Sequence, residues 1–96
     1  MPTKVKVAQL KARIGEDPDV YALDLLPPDS FARHAYENKP YPEIRRAHAG
    51  AGADEAECAR WQLTPEEWAE EMDAARLALA HDMKLDLIRT GVAPSM

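Results

Sequence analysis

Apolar residues recur with a helical period along most of the chain and predict four to six helices, the last of them long. Near the N-terminus three apolar residues share one helical face: Val7, Leu10 and Ile14. Their spacing predicts a first helix that Thr3 caps and Gly15 ends. The pattern as a whole predicts an all-α fold class, a small single-domain helical bundle over residues 1–96.

The middle of the chain is divided by prolines. The apolar run of residues 20–26 is too short for its period to separate a two-turn helix from a short buried strand, and Pro27 ends it in either case. The next predicted segments are a short helix that starts at Asp29 or Ser30 and ends at about Glu37, a polyproline-like crossing over 38–42, a helix over 42–49 and a flexible link near 50–53.

Two helix starts follow each other closely in the second half. Asp54 and Thr64 each lie three residues before a glutamate, which is the pattern of a capping box. Pro65 at the first helical position strengthens the second start. Residues 54–68 therefore predict a C-terminal helical hairpin with the outline of a helix-turn-helix.

The last helix is predicted to run from Pro65 to about Thr90, with Gly91 as its end. At 1.5 Å per residue it would be roughly 39 Å long, at least the diameter of a compact domain of this size. It must therefore bend, break or protrude. Its apolar stripe at helical spacing consists of Trp68, Met72, Ala75, Leu79 and Met83.

Length and composition narrow the functional classes. The chain has 96 residues and a net charge of -5, which argues against generic binding to nucleic acid or to anionic membranes. One cysteine excludes an internal disulfide framework and fits a reducing compartment. No window approaches the roughly 20 apolar residues of a membrane span. These features predict a cytoplasmic protein.

Charge is segregated along the chain. Residues 1–14 carry four lysines and arginines and no acid, whereas residues 50–82 carry nine acids against Arg60 and Arg76. One interpretation is a set of solvated helix faces whose opposite charges keep the fold soluble and pair loosely with each other. The other is a negative surface, formed by residues 54–82, that faces a basic partner.

The hairpin resembles a helix-turn-helix in spacing but not in charge. Its matching residues are Cys58, Gln62, Leu63, Thr64 and Trp68, with Gln62 where the pattern usually has glycine. The residues predicted to be exposed on its second helix are Glu66, Glu67, Glu70, Glu71 and Asp73. DNA carries one negative charge per roughly 1.7 Å of axis and would repel this face.

Residues with catalytic or metal-binding chemistry do not form a recognisable motif. His34, His48, Cys58 and His81 are too far apart in sequence to resemble the close ligand pairs of structural zinc sites. Thr64 and Cys58 are better explained as a cap and a small apolar helix residue than as nucleophiles. The sequence predicts no enzyme, no metal and no cofactor.

Three aromatic residues are candidates for the core or for a docking surface. Trp61 and Trp68 can pack together where the two hairpin helices meet. Trp61 is also a candidate anchor for a partner, because tryptophan is enriched at interface hot spots. Tyr41 is a second candidate, since its flanking prolines stiffen it.

The predicted function is a non-enzymatic protein-interaction module that binds a larger, partly basic protein. In general character the chain resembles the small acidic inhibitors and assembly factors encoded by phages and mobile elements, including anti-CRISPR proteins, which implies an adaptor, inhibitor or assembly role. The predicted partner-binding residues are Glu66, Glu67, Glu70, Glu71, Asp73, Trp61 and Tyr41. The alternative is a helix-turn-helix DNA-binding regulator whose N-terminal lysines reach the phosphates.

Overall fold

The computed structural model describes residues 1–49 and 52–91, and these residues are all-helical with no strand. The α-helices are α1 (Val7–Glu16), α2 (Phe31–Asn38), α3 (Tyr41–His48), α4 (Glu55–Trp61) and α5 (Pro65–Arg89), and a short 3-10 helix (Ala22–Leu25) lies between α1 and α2. The predicted fold class and the long last helix are confirmed. The ambiguous run of residues 20–26 is neither a two-turn helix nor a strand, but one turn of 3-10 helix.

The long helix α5 forms the axis of the fold, and two clusters of apolar side chains pack against it. The first cluster joins α5 to α2, α3 and the hairpin turn, and its buried members are Phe31, Ala35, Ile44, Ala47, Leu63, Trp68, Met72 and Ala75. The second joins α5 to α1 and the 3-10 helix, and its buried members are Val5, Leu10, Ala22, Leu26, Ala32, Ala74 and Ala78. Helix α5 therefore has two buried faces.

The two faces explain why the single predicted stripe on α5 is only partly buried. Trp68, Met72 and Ala75 are buried as predicted, but Met83 is 52% exposed, so its predicted core position is wrong. A 25-residue helix is about 37 Å long, whereas its partner helices have 7 to 10 residues. The C-terminal turns of α5 therefore extend beyond most of their neighbours, and Leu87 and Ile88 are exposed as well.

The first helix begins later than its sequence pattern predicts. Helix α1 starts at Val7, and its N-cap residue Lys6 is extended and makes no side-chain capping bond. Thr3, the predicted cap, instead donates hydrogen bonds from its amide and its hydroxyl to Asp29 at 3.1 and 2.7 Å. The predicted boundary is wrong because Thr3, Lys4, Val5 and Val7 donate hydrogen bonds to carboxylates that are distant in sequence.

The predicted hairpin caps are present, with one difference. Asp54 accepts the Glu57 amide, and Thr64 and Glu67 form a complete capping box. The carboxylate of Glu57 does not close the first box. It accepts the indole N–H of Trp68 at 3.0 Å and pairs with Lys39 at 2.7 Å, which ties α4 to α5 and to the residue that follows α2.

The proline-rich crossing is shorter than predicted. Helix α2 continues to Asn38 and α3 begins at Tyr41, so only Lys39 and Pro40 are extended. The flexible link predicted near residues 50–53 lies partly outside the described residues. Within the described part of the chain, no helix is long and apolar enough to cross a membrane.

Candidate functional site

Three glutamates of α5 face the N-terminal part of the chain and hold it through hydrogen bonds. We call Glu67, Glu70 and Glu71 the carboxylate row, and residues 3–16 the N-terminal segment. Helical spacing of three and four residues places these glutamates on neighbouring turns of α5. The row binds one lysine and two backbone amides of the N-terminal segment.

Glu71 is the most deeply placed member of the row. Its side chain accepts the Val5 amide at 2.7 Å and the Ala32 amide at 3.0 Å. It is 1% exposed, so the sequence prediction that it lies on an open surface is wrong. Burial raises the pKa of the Glu71 carboxyl, against the opposing effect of the two amides. Glu71 therefore joins the start of α2 to the residues that precede α1.

Glu70 and Glu67 lie nearer the surface. Glu70 accepts the amide of Val7, the first residue of α1, at 2.6 Å, and so serves as the cap that Lys6 does not provide. Glu67 accepts the Lys4 ammonium at 2.6 Å and the Thr64 amide at 2.8 Å. The hydrogen bond from Lys4 lowers the pKa of Glu67. Both residues are engaged within the fold.

The two other acids predicted on this face have different surroundings. Asp73 contacts His48 of α3 and the guanidinium of Arg76, the latter at 3.1 Å. Glu66 is exposed at the start of α5. The five predicted acidic residues therefore lie on one helix, as expected. Among these five, Glu66 is exposed to solvent, whereas the other four are half-buried or buried.

Asp82 extends the same arrangement towards the C-terminus, and sequence reasoning missed it. It is 3% exposed and accepts the Ala22 and Leu23 amides at 2.6 and 3.0 Å, as well as the Tyr36 hydroxyl at 2.8 Å. Burial and this hydrogen bond raise the pKa of Tyr36. The available sequence signal was the spacing of Asp82 from Ala78 and Leu85, which puts an acid in a buried position.

The two predicted aromatic anchors, Trp61 and Tyr41, are both half-buried. Trp61 and Trp68 both pack against Phe31, whose ring centroid lies 5.7 Å from that of Trp61 and 6.4 Å from that of Trp68. Trp68 is 5% exposed, whereas Trp61 keeps part of its surface open and also contacts His34 at 5.1 Å between ring centroids. Tyr41 is half-buried at the first position of α3.

The hairpin has the backbone outline of a helix-turn-helix. Gln62 ends α4 in the left-handed region with φ 59° and ψ 47°, at the position where glycine is usual. The face of α5 that would meet DNA in such a motif carries the carboxylate row and is covered by the N-terminal segment. This face is negatively charged, and residues of the same chain already lie on it.

Metal-binding and reactive groups are dispersed. In residues 1–49 and 52–91 no three histidine, cysteine or acidic side chains lie close enough to hold a metal ion. Burial and the neighbouring acids of α4 raise the pKa of the Cys58 thiol, which works against thiolate chemistry. The arrangement is suited to holding a peptide segment through amides, one ammonium group and apolar contacts.

Comparison with known proteins gives no relative. The chain matches no protein family, no curated protein and no solved structure.

Proposed function

We propose that this chain is a non-enzymatic protein-interaction module, a small acidic adaptor, inhibitor or assembly factor, and that its carboxylate row binds a basic segment of a larger protein. One observation carries the proposal. The row already holds a basic segment, the N-terminal part of this chain, which has four cationic residues and no acid up to Ile14.

The chemistry of the row suits a polypeptide ligand. Glu70 and Glu71 accept backbone amides two residues apart, whereas Glu67 accepts a lysine side chain. Backbone amides recur in every peptide, so these two glutamates recognise an extended or helix-initiating chain, and Glu67 adds selection for a cation. The second apolar cluster lies alongside and selects for aliphatic side chains.

Glu66 supplies the outer, accessible charge of this face. An exposed acid at the edge of an interface acts mainly on the rate of association, because it attracts a basic partner before contact. Reversing its charge should therefore slow association and weaken the salt dependence of the rate while the fold persists.

The test uses the partner captured from host extract, identified by mass spectrometry and purified. Its association rate is measured by stopped flow against the wild type, Glu66→Lys and the control Asp24→Lys, which makes the same charge change at an exposed residue of the 3-10 helix. We expect Glu66→Lys to slow association by about threefold or more at low salt and Asp24→Lys to do so much less. Equal rates for the two variants would contradict the proposal.

A further inference from the structure

The N-terminal segment is seated on α5 in the manner of a bound ligand. It contributes the buried side chains of Val5 and Leu10 to the second apolar cluster, and Val7 and Ile14 are half-buried against that cluster, while the other residues of α1 are exposed. We propose that this segment is a detachable occupant of its groove and that a basic, amphipathic segment of the partner protein replaces it. This inference rests on the proposed function and adds the regulation of the same site.

The groove under the segment is shaped by small side chains. Apart from the segment's own residues, the buried members of the second cluster are four alanines and one leucine: Ala22, Leu26, Ala32, Ala74 and Ala78. Small residues allow another element to approach closely, and they leave room for the aliphatic side chains that Val5 and Leu10 now insert. The buried carboxylate of Glu71 lies at one end of this apolar floor.

The contacts that fasten the segment are few and mostly at its edge. Thr3 bonds to Asp29 and Lys4 to Glu67, and both contacts are exposed to solvent. Helix α1 has no side-chain cap of its own and depends on Glu70 for its first amide. Opening would also return Glu71 to water and relieve the burial that raises its pKa. An element with so few buried side chains is a natural unit of local opening.

The seated segment defines what a replacing segment must offer. It needs a cation at the position of Lys4, aliphatic side chains at the positions of Val5 and Leu10, and a free N–H at the positions of Val5 and Val7. A proline at the Val7 position would lack the N–H that Glu70 accepts, although proline is well tolerated at the first position of a helix. The proline replacement therefore separates recognition by Glu70 from helix formation.

The first test measures binding of a fluorescent peptide with the sequence of residues 1–16 to the full-length protein. In the wild type the tethered segment competes at an effective concentration of about millimolar, so micromolar peptide should bind poorly. Leu10→Asp places a charge in the apolar groove and should expel the tethered segment. We expect it to bind the peptide at least tenfold more tightly than the wild type, and the control Ala8→Asp, at an exposed α1 position, to behave as the wild type.

Two outcomes of this test would overturn the inference. One is a Leu10→Asp variant that keeps its helical circular dichroism yet binds the peptide no better than the wild type. The other is a Leu10→Asp variant that loses all helical structure, because the remaining helices would then depend on the segment.

A second peptide tests the role of Glu70. The Leu10→Asp protein should bind a peptide carrying Val7→Pro at least tenfold more weakly than the unmodified peptide, and equal binding would contradict that role.

An independent measurement uses hydrogen exchange in the unmodified protein. The amides of Val5 and Val7 should exchange together, and at least a hundredfold faster than those of Met72 and Ala75 in the centre of α5. Exchange of all four at one common rate would show that the segment opens only when the whole protein unfolds.

The two proposals fail in different ways. The peptide could fail to bind the Leu10→Asp variant while Glu66→Lys still slows association with the partner. The proposal of a detachable segment would then be wrong, and the proposal of an acidic docking face would stand. Should the peptide bind as expected while Glu66→Lys and Asp24→Lys leave the partner equally unaffected, the groove accepts a basic segment but the partner does not use this face.

Discussion

Glu71 accepts hydrogen bonds from residues that are 39 and 66 positions away in sequence. Two other acids of α5 act in the same way, because Glu70 bonds to the first amide of α1 and Asp82 to the first two amides of the 3-10 helix. Amides at helix starts have no partner within their own helix. At the scale of single residues, α5 therefore supplies caps to other elements.

Replacing Glu71 by glutamine should destabilise the fold by about 1 to 3 kcal/mol, because the amide side chain turns an NH₂ group towards one of the two N–H donors. The loss should depend on pH. Since burial raises the folded-state pKa of Glu71 above its ordinary value of 4.5, the native state binds the proton more tightly than the unfolded state. The stability advantage of the wild type over Glu71→Gln should therefore narrow as pH rises above 4.5.

Glu67 provides the matched control, because its contribution to stability should change with pH in the opposite direction. Its pKa is lowered in the folded state, chiefly by the hydrogen bond from Lys4, so its contribution is present above pH 4.5 and is lost as pH falls through the lowered value. The stability gap between wild type and Glu67→Gln should widen as pH rises. Urea unfolding between pH 3 and 7 measures both gaps, and the same pH trend for the two variants would refute this assignment.

Gln62 holds a left-handed backbone conformation that costs a non-glycine residue about 1 kcal/mol. Gln62→Gly should stabilise the protein by about 0.5 kcal/mol after the greater freedom of glycine in the unfolded chain is subtracted. Gln62→Ala keeps the β-carbon and should give no gain. Thermal unfolding distinguishes the two, and equal melting temperatures would show that the turn is unstrained.

Within elements, local signals placed the helix starts of α2, α4 and α5. Asp54 and Thr64 each accept the backbone amide three residues on, as their sequence positions predict, and of the two candidate starts of α2, Asp29 and Ser30, it is Ser30 that accepts the Arg33 amide. These contacts lie within one turn, so the residues that make them are neighbours in sequence. Helix α1 differs because its first amide is bonded to Glu70, 63 residues away.

The capping box at the start of α5 gives a direct test. Thr64→Ala removes the hydroxyl that accepts the Glu67 amide at 3.1 Å and should cost about 0.5 to 2 kcal/mol. Thr90→Ala is the control, since its exposed hydroxyl makes only a 3.3 Å bond to the Leu87 carbonyl. Urea unfolding should separate the two variants clearly, and a stability change near zero in Thr64→Ala would mean that the capping box does not hold the start of α5.

The start of α1 is tested by Val7→Pro in the full chain. Lys6 is already extended, with φ -107° and ψ 130°, so a following proline fits the backbone. The lost hydrogen bond to the Glu70 carboxylate should cost about 1 to 2 kcal/mol, after allowance for the stiffer unfolded chain. Val7→Ala keeps the amide and reports the loss of side-chain packing alone. The two variants should differ, and equal unfolding free energies would argue against capping by Glu70.

Across the whole molecule, α5 joins two apolar clusters with different buried members. Ile44 belongs to the first and Leu10 to the second. Ile44→Val should cost about 0.5 to 1.5 kcal/mol and Leu10→Ala about 2 to 5 kcal/mol. Because their buried neighbours differ, the double variant should lose the sum to within about 0.5 kcal/mol. A larger deviation in denaturant unfolding would indicate that α5 couples the clusters.

The candidate site on the acidic face could be predicted from the sequence in part. Charge segregation predicted a negative surface over residues 54–82 that faces a basic partner, and this stays a prediction. In the structure the basic start of the same chain lies on part of that surface, where Lys4 pairs with Glu67. Charge segregation did not separate exposed Glu66 from buried Glu71, since both are glutamates in the same helix. Asp82 was missed and the exposed Met83 was wrongly placed in the core for a related reason, because a single helical stripe cannot describe a helix with two buried faces.

The all-helical class, the hairpin caps, the long last helix and the burial of Trp68, Met72 and Ala75 could be predicted from the amino-acid sequence, because they follow from spacing within a few turns. The start of α1, the burial of particular carboxylates and the position of the basic N-terminal segment on the acidic helix emerged with the folded structure. Those features depend on contacts between residues 39 to 66 positions apart. Local periodicity carries no record of such pairings, since it reports which face of a helix is apolar and not which element comes to lie against it.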